Sequence, residues 1–350
     1  MDSKGKVIDI GKVFRGLKIA IVLSLLISAI LILLTLDSNS LKNALNSIKP
    51  QIIIYLLITL FLSWLAAGLG LKIMITTIGG NLTLKEGIVL YLSGSFISYV
   101  TPFATGGGPF QVYLLHKKGI NIGQATMVIL TQFVLRIIFF TFASTIFLLF
   151  FNHLISPGAV PPYIFYLAFG TGFLITTSLI IFSLVPRITD KIVGKLFKID
   201  KLRNFVKNNY KAKKLLAKIR IEIREFHESM ELLSQYKLKL LLSGLCTFFY
   251  WSTLFMVIPL ILIGLGLEPH FFRAYVMQTI FNLVIPYMPT PGASGIAEVG
   301  FASVFISFIP KGLIGIVTIL WRFITFYLIL IIGGFFALRE LGWKRRKKHG

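Results

Sequence analysis

Apolar runs long enough to cross a bilayer recur along this chain, and they leave it few folds to adopt. Six stretches, roughly 17–36, 51–71, 123–151, 161–185, 239–265 and 312–338, match the ~18–20 apolar residues that carry a helix across about 30 Å of hydrocarbon. With 56% hydrophobic residues and 32 Phe, the chain is far more apolar than a soluble core of 350 residues requires. Inside hydrocarbon each backbone polar group must be satisfied by the chain itself. The expected class is therefore an all-α, polytopic integral membrane protein. The first run is too long for the apolar region of a signal peptide and no small-x-small cleavage site follows it, so it reads as a retained helix.

Two further apolar stretches, 88–116 and 274–309, are interrupted by Gly/Pro clusters. The first break is Thr101-Pro102-Phe103-Ala104-Thr105-Gly106-Gly107-Gly108-Pro109, and the second is Pro289-Thr290-Pro291-Gly292-Ala293-Ser294-Gly295. A bilayer tolerates a broken helix only where protein or a water-lined cavity shields the freed backbone. Paired breaks in two halves of a chain point to a transport site. Arg136 lies 30 residues after Gly106 and Arg322 lies 30 after Gly292, which sets the repeat at 186 residues when the glycines are aligned. The expected organisation is a first membrane half 1–186 with a re-entrant hairpin at 88–116, a basic linker 187–237, and a second half 238–350 with a re-entrant hairpin at 274–309 and a basic tail.

Charge orients the spans. With the N-terminus inside, the segments 1–18, 72–87, 117–118, 186–239 and 339–350 are cytoplasmic and hold 30 of the 36 Lys and Arg residues. Only Lys42, Lys49, Arg273 and Lys311 fall outside, a strong positive-inside bias. Both termini are expected in the cytoplasm of a multi-pass cell-membrane protein, with the two hairpins entering from opposite faces, as in inverted-topology halves; two short tilted spans in place of each hairpin would leave the same ends inside. The net charge of +23 is explained by this placement beside membrane spans and anionic lipid headgroups. No recognition motif for nucleic acid accompanies it. In the linker, Leu215, Ile219, Ile223, Phe226, Met230 and Leu233 recur at helical spacing, which predicts an amphipathic helix. It would either lie on the inner leaflet or bridge the halves.

Arg136, Glu298 and Arg322 are the strongly ionisable residues inside apolar segments. A charge at mid-bilayer costs at least ~2.5–3.5 kcal/mol on insertion scales and therefore needs a partner or water. Glu298 and Arg322 could pair internally, one or both arginines could bind an anionic group such as a lipid phosphate, and both readings can hold at once. The planar guanidinium fork suits phosphate. Gly106, Gly107 and Gly108, and Gly292, Ser294 and Gly295, stand where short helices begin, and N–H groups there can receive an anion. Tight packing of helices is the alternative role for these small residues. Gln111 follows the first break as a polar, cavity-facing candidate. Cys246 is the only cysteine, which excludes internal disulfides and cysteine-based metal sites. No His/Asp/Glu cluster has ligand spacing, so neither a metal nor another cofactor is expected.

The segments Thr101–Leu115 and Pro289–Phe301, with Trp321-Arg322 and Gly333-Gly334 beyond them, resemble the lysylphosphatidylglycerol-synthase transmembrane family of flippase-like membrane proteins. The resemblance covers roughly 15–340. Its most specific run is Pro-Thr-Pro-Gly-x-Ser-Gly-x-x-Glu, from Pro289 to Glu298. It implies a polytopic protein that handles lipids, with Glu298, Arg136 and Arg322 as lipid-site residues. Ala293 stands where the family commonly has Gly, a departure expected to matter little. Gln111 stands where many members carry Glu, so a site with two acids is in doubt. The soluble aminoacyl-transfer domain of the synthases is not found, and lysyl transfer is not expected.

Gly292-Ala293-Ser294-Gly295 also matches the Gly-x-Ser-Gly of rhomboid proteases, but such a serine needs a base within reach. The only His after Ser294 is His349, in the tail. The expected function is binding and translocation of an anionic or phosphate-bearing membrane lipid, flippase- or scramblase-like, without enzymatic activity. A small-solute or ion transporter, an accessory factor, and a lipid-linked transferase of envelope lipid synthesis are the alternatives. No ATP-binding motif is present, so active transport would draw on an ion gradient or a partner. A homo-oligomer is compatible with the sequence.

Overall fold

The computed structural model describes residues 10–35, 49–151, 231–285 and 288–342, with isolated positions between them. The described residues are helical, without strands. In chain order they form α1 (Ile10–Thr35), α2 (Gln51–Thr77), α3 (Leu84–Tyr99), α4 (Gly107–Lys117), α5 (Ile122–Phe150), α6 (Lys237–Phe255), α7 (Val257–Gly264), α8 (Phe271–Val284), α9 (Ile296–Phe305), α10 (Ile314–Arg322) and α11 (Leu328–Glu340). A 3-10 turn follows α3 at Pro102–Ala104 and another follows α8 at Pro291–Ala293. A π-helical turn, Phe323–Tyr327, joins α10 to α11.

Five helical stretches among the described residues are long and apolar enough to cross a membrane: Arg15–Thr35, Gln51–Thr77, Ile122–Phe150, Lys237–Gly264 and Lys311–Glu340. They coincide with five of the six expected spans. The sixth, 161–185, lies outside the described residues apart from isolated positions, as does most of the linker 187–237. Of the expected amphipathic stripe in that linker, Phe226 and Leu233 are buried against the core of the first broken segment, so at these positions the stripe faces protein.

The order span, short helix, break, short helix, span occurs twice: α2, α3, α4, α5, then α6–α7, α8, α9, α10–α11. Contacts between the two sets are reciprocal. α2 packs on its counterpart α6, α3 packs on α11, and α8, the counterpart of α3, packs on α5. Glycine makes the α3–α11 approach possible, because a Cβ on Gly333 would stand 2.4 Å from the Leu92 carbonyl oxygen. α1 precedes both sets and packs on α10, α9, α3 and the second break.

The cores interleave in the same way. Met74, Phe96, Phe110, Leu115 and Met127 of the first set enclose Phe326 and Leu330 of the second. Val257, Met277, Phe301 and Trp321 of the second set enclose Leu60 of the first.

One end of the bundle is tied by polar groups. Thr83 and Glu86 form a capping box at the start of α3, with the Thr83 N–H donating to Glu86 Oε2 at 2.8 Å. Lys118 Nζ donates to Glu86 Oε1 at 2.5 Å, and Lys117 Nζ donates to the Glu340 carbonyl at 2.6 Å. Glu86, Lys117, Lys118 and Glu340, from segments that charge counting assigns to one side, thus meet at one end.

Candidate functional site

Both breaks adopt one backbone design. Thr101 and Thr290 are extended, Pro102 and Pro291 open the 3-10 turns, and Phe103 (φ 54°, ψ 20°) and Gly292 (φ 60°, ψ 20°) are left-handed. Ala104 (φ 53°) and Ala293 (φ 52°) follow in the same region. The hydrogen bonds match as well: Ala104 N–H to Thr101 O and Ala293 N–H to Thr290 O, then Thr105 N–H to Pro102 O and Ser294 N–H to Pro291 O. The structural repeat is therefore 189 residues, since Thr101 corresponds to Thr290 and the helix-capping Gly106 to the helix-capping Gly295. The glycine-based figure of 186 fails because Phe103 takes a conformation normally left to glycine. Ala293 is likewise not a neutral replacement for Gly, as its positive φ carries strain that glycine would not.

The two breaks pack against each other. A Cβ on Gly292 would stand 3.2 Å from the Tyr99 carbonyl oxygen and 2.3 Å from Phe326 Cε2, so this residue must be glycine for both its conformation and its neighbours. The Tyr99 ring packs on Phe326 at 5.1 Å between centroids. The Tyr99 O–H donates to the Thr325 carbonyl at 3.4 Å, within the π-helical turn. Such turns are frequent at functional sites because they re-aim side chains.

Glu298 and Arg322 meet at this junction. Glu298 is 0% exposed and Arg322 5%. The placement follows from local packing. Trp321 stacks on Phe301 at 4.6 Å and Phe301 on Phe305 at 4.3 Å, which anchors the end of α10 against α9. The next residue, Arg322, then faces the break. Its Nε–H donates to Glu298 Oε1 at 2.8 Å and its Nη2–H to the Gly292 carbonyl at 3.1 Å. Its guanidinium lies 4.5 Å from the Phe326 ring centroid, within cation–π range. Glu298 occupies the third position of α9 and accepts the Gly295 N–H at Oε2, 2.7 Å away, which caps the helix start. Ser24 of α1 donates its O–H to Glu298 Oε1, and Tyr327 donates to Ser24 Oγ at 2.7 Å. The carboxylate thus accepts three donors and shares a buried ion pair.

The first break carries no equivalent charge. In the 189-residue register Pro109 stands opposite Glu298, and Phe133 opposite Arg322. Gly106 N–H donates to Thr101 Oγ1 at 3.0 Å. Gly107 is a packing residue: its Cβ would lie 1.9 Å from Ser98 Oγ and 2.6 Å from the Gly94 carbonyl oxygen. Gly108 has open surroundings, with Ile129 Cγ2 at 3.6 Å. Gln111 lies against Gly94 and donates from Nε2 to the Leu90 carbonyl at 3.3 Å, clasping α4 to α3. Arg136 sits 4.9 Å from the Phe133 ring centroid, in electrostatic reach of Tyr91, Tyr99 and Tyr250. Tyr91 and Tyr250 share a hydrogen bond of 2.5 Å. Tyr99 lies within electrostatic reach of both Arg136 and Arg322.

Ser294 is 1% exposed, and its hydroxyl has no partner among the described residues, nor does Thr290 Oγ1. The backbone N–H groups of Gly106, Ala293, Ser294 and Gly295 are all used within the breaks. The donors left at the two helix starts are those of Gly107 and Gly108, and of Ile296 and Ala297. Sequence reasoning missed Ser24, Tyr99, Phe326 and Tyr327. For Ser24 a signal existed: Gly16, Ala20, Ser24 and Ser28 recur every four residues in a run of large aliphatics, a small-residue packing pattern.

The model of the lysylphosphatidylglycerol synthase TM region matches residues 21–333. The chain belongs to this family. A UPF0104 membrane protein from Archaeoglobus fulgidus is 29% identical over 277 residues, covering 77% of this chain and 80% of the relative. A UPF0104 membrane protein from Pyrococcus horikoshii is 24% identical over 260 residues, covering 73% and 76%. The family is a flippase-like membrane module, and this member is multi-pass with a lipid-associated, transport-like function.

Proposed function

We propose that the protein binds the phosphate of an anionic lipid at the junction of its two breaks and moves the headgroup between leaflets. The observation that carries this reading is the buried Glu298–Arg322 pair at the point where two broken segments touch. A carboxylate and a guanidinium at 0% and 5% exposure are expensive in a membrane protein. Arg322 is the residue type that would exchange Glu298 for a phosphate. Glu298 acts as a charge gate, holding Arg322 when no lipid is bound. Arg136, beside the tyrosines of α3 and α6, is the second phosphate contact along the path.

In this reading the broken segments are re-entrant hairpins in two halves of inverted topology. Their helices have 16 and 11 residues in the first half and 14 and 10 in the second. At 1.5 Å per residue these arms reach roughly 15–24 Å, short of about 30 Å of hydrocarbon. The reciprocal packing of the two sets and the positive-inside bias support opposite entry, with both termini in the cytoplasm.

The test is translocation of fluorescent lipids in proteoliposomes across a series of headgroups. The wild type should move anionic lipids, and Glu298→Gln and Arg136→Ala should abolish or strongly slow this. Folded wild-type protein that moves none of the headgroups would overturn the reading.

A further inference from the structure

Among the described residues α1 has no counterpart in the repeated sets, and it packs on the second break and on the end of α3. A Cβ on Gly16 would stand 1.9 Å from the Val100 carbonyl oxygen at the end of α3, Ile27 touches Gly295, and Ile32 backs on Gly315. The buried stripe is Gly16, Ala20, Ser24 and Ser28, while Leu25, Leu26, Ile30, Leu33 and Leu34 are exposed. Its apolar window is 17% buried, as is that of Ile122–Phe150, against 56% for Lys311–Glu340. Between membrane helices, small-residue packing and hydrogen bonds supply the adhesion, since lipid is as apolar as leucine. The specific hold on α1 is therefore polar: Ser24 O–H on Glu298, and Tyr327 O–H on Ser24.

A second observation lies beside this latch. Ser28 is 0% exposed and Ser294 1%, and neither hydroxyl has a partner among the described residues. A hydroxyl left buried and unpaired is destabilising. Groups of this kind at the seam between α1 and the second break gain partners when a polar group enters.

We infer that α1 is a lateral gate, latched shut through Ser24 and Tyr327 onto Glu298, which swings aside to admit an anionic lipid headgroup from the bilayer. This rests on the proposed lipid site and adds the route into it. A headgroup that draws Arg322 away from Glu298 loosens the carboxylate that anchors Ser24, so headgroup binding and gate opening are coupled.

The experiment places spin labels at Leu26→Cys and Phe335→Cys, both exposed, in a Cys246→Ala background and measures their distance in lipid nanodiscs. Phosphatidylcholine alone should give one distance, and added phosphatidylglycerol a second, longer population. Ser24→Ala should raise that population by about tenfold or more, as loss of a hydrogen bond to a charged group predicts. Tyr327→Phe should raise it less, and serves as the readout if Ser24→Ala fails to fold. One distance in both lipids and in the latch variants overturns the gate. A lock separates this result from the transport reading. A Cβ at position 315 would stand 2.9 Å from Thr35 Oγ1, which brings a cysteine pair at these two positions into bonding range, and 2.9 Å from Ile32 Cα, so the reduced pair is the reference for any shift that the added Cβ itself causes. Oxidation of Thr35→Cys/Gly315→Cys should stop lipid movement and reduction should restore it. Movement that continues with α1 locked refutes the gate and leaves translocation standing. A moving α1 without any lipid transfer refutes translocation and leaves the gate standing.

Discussion

Removing Glu298 alone should do more damage than removing Glu298 and Arg322 together. In Glu298→Leu the guanidinium retains only the Gly292 carbonyl and the faces of Phe326 and Trp321. An uncompensated buried charge of this kind costs ~3–5 kcal/mol. In Arg322→Met the carboxylate keeps the Ser24 hydroxyl and the Gly295 N–H, so the loss should fall near the lower end of that range, about 3 kcal/mol. If the two effects were independent, the double variant would lose ~6–8 kcal/mol. The double variant removes both charges and leaves the Ser24 hydroxyl, the Gly295 N–H and the Gly292 carbonyl short of a partner, at ~1–3 kcal/mol each; the first two are short of one in Glu298→Leu as well, so the double variant exchanges an uncompensated buried charge, ~3–5 kcal/mol, for one unpaired carbonyl. The checks are denaturant unfolding of all four proteins in one detergent and lipid translocation of each after reconstitution. Stability should return in the double variant while translocation stays lost. A double variant as unstable as the worse single would show that the pair is not a coupled unit. A stable double variant that still moves lipid would remove the charges from the mechanism.

Gly107→Ala should cost at least ~1–3 kcal/mol, because its Cβ would press on the Gly94 carbonyl at 2.6 Å, whereas Gly108→Ala, with open space, should stay within about 0.5 kcal/mol; thermal unfolding of the two side by side decides it. Phe103→Gly should stabilise by about 0.5–1 kcal/mol in denaturant unfolding, because it relieves a left-handed φ of 54° at an exposed side chain. Glu86 is held at about 2, first by the Lys118 hydrogen bond and then by the Thr83 N–H and hydroxyl. A carboxylate with a depressed folded-state pKa contributes stability that is complete above its ordinary value of 4.5 and is lost as pH falls toward 2. The pair is partly exposed, so solvent screening limits the contribution to at most ~1 kcal/mol. The difference in unfolding free energy between wild type and Lys118→Met should therefore be constant from pH 7 to 5 and close below pH 4.

How far the sequence discloses this arrangement depends on the type of signal. Spans are legible because hydropathy acts over twenty residues, and the breaks are legible because Pro and Gly interrupt it. That Glu298 and Arg322 pair was one of two readings open to the sequence, since each is a charge that must find a partner in hydrocarbon. Ser24 was hidden because a serine in an apolar helix can bond its own preceding turn, as Thr35 does to Leu31. Only tertiary placement distinguishes the two. The repeat register was hidden for a different reason. Glycine marks left-handed backbone in sequence, and here Phe103 and Ala293 adopt that backbone while Gly107 and Gly333 serve close approach instead.

The corrected register changes what the symmetry of the halves can mean. With glycines aligned, Arg136 and Arg322 are equivalent, and a two-armed phosphate clamp follows. With the backbones aligned, Arg136 stands opposite Thr325 and Arg322 opposite Phe133. The helix start that Glu298 caps in the second half is occupied in the first by Pro109, which has no N–H to satisfy and no charge to offer. The two breaks therefore share a backbone frame and differ in chemistry: one is held by an ion pair, the other by glycine packing and a Gln111 clasp. On the proposed path, a headgroup would leave a site that competes for its phosphate through Glu298 and pass Tyr99 toward Arg136, which lies in electrostatic reach of three tyrosines. Such asymmetry gives a path with unequal stations, and it predicts that Arg136→Ala and Arg322→Met impair different steps. Arg322→Met should weaken lipid capture, read as loss of phosphatidylglycerol binding in detergent. Arg136→Ala should leave most of that binding while slowing transfer in proteoliposomes. Equal loss of binding in both variants would restore the clamp and refute the ordered path.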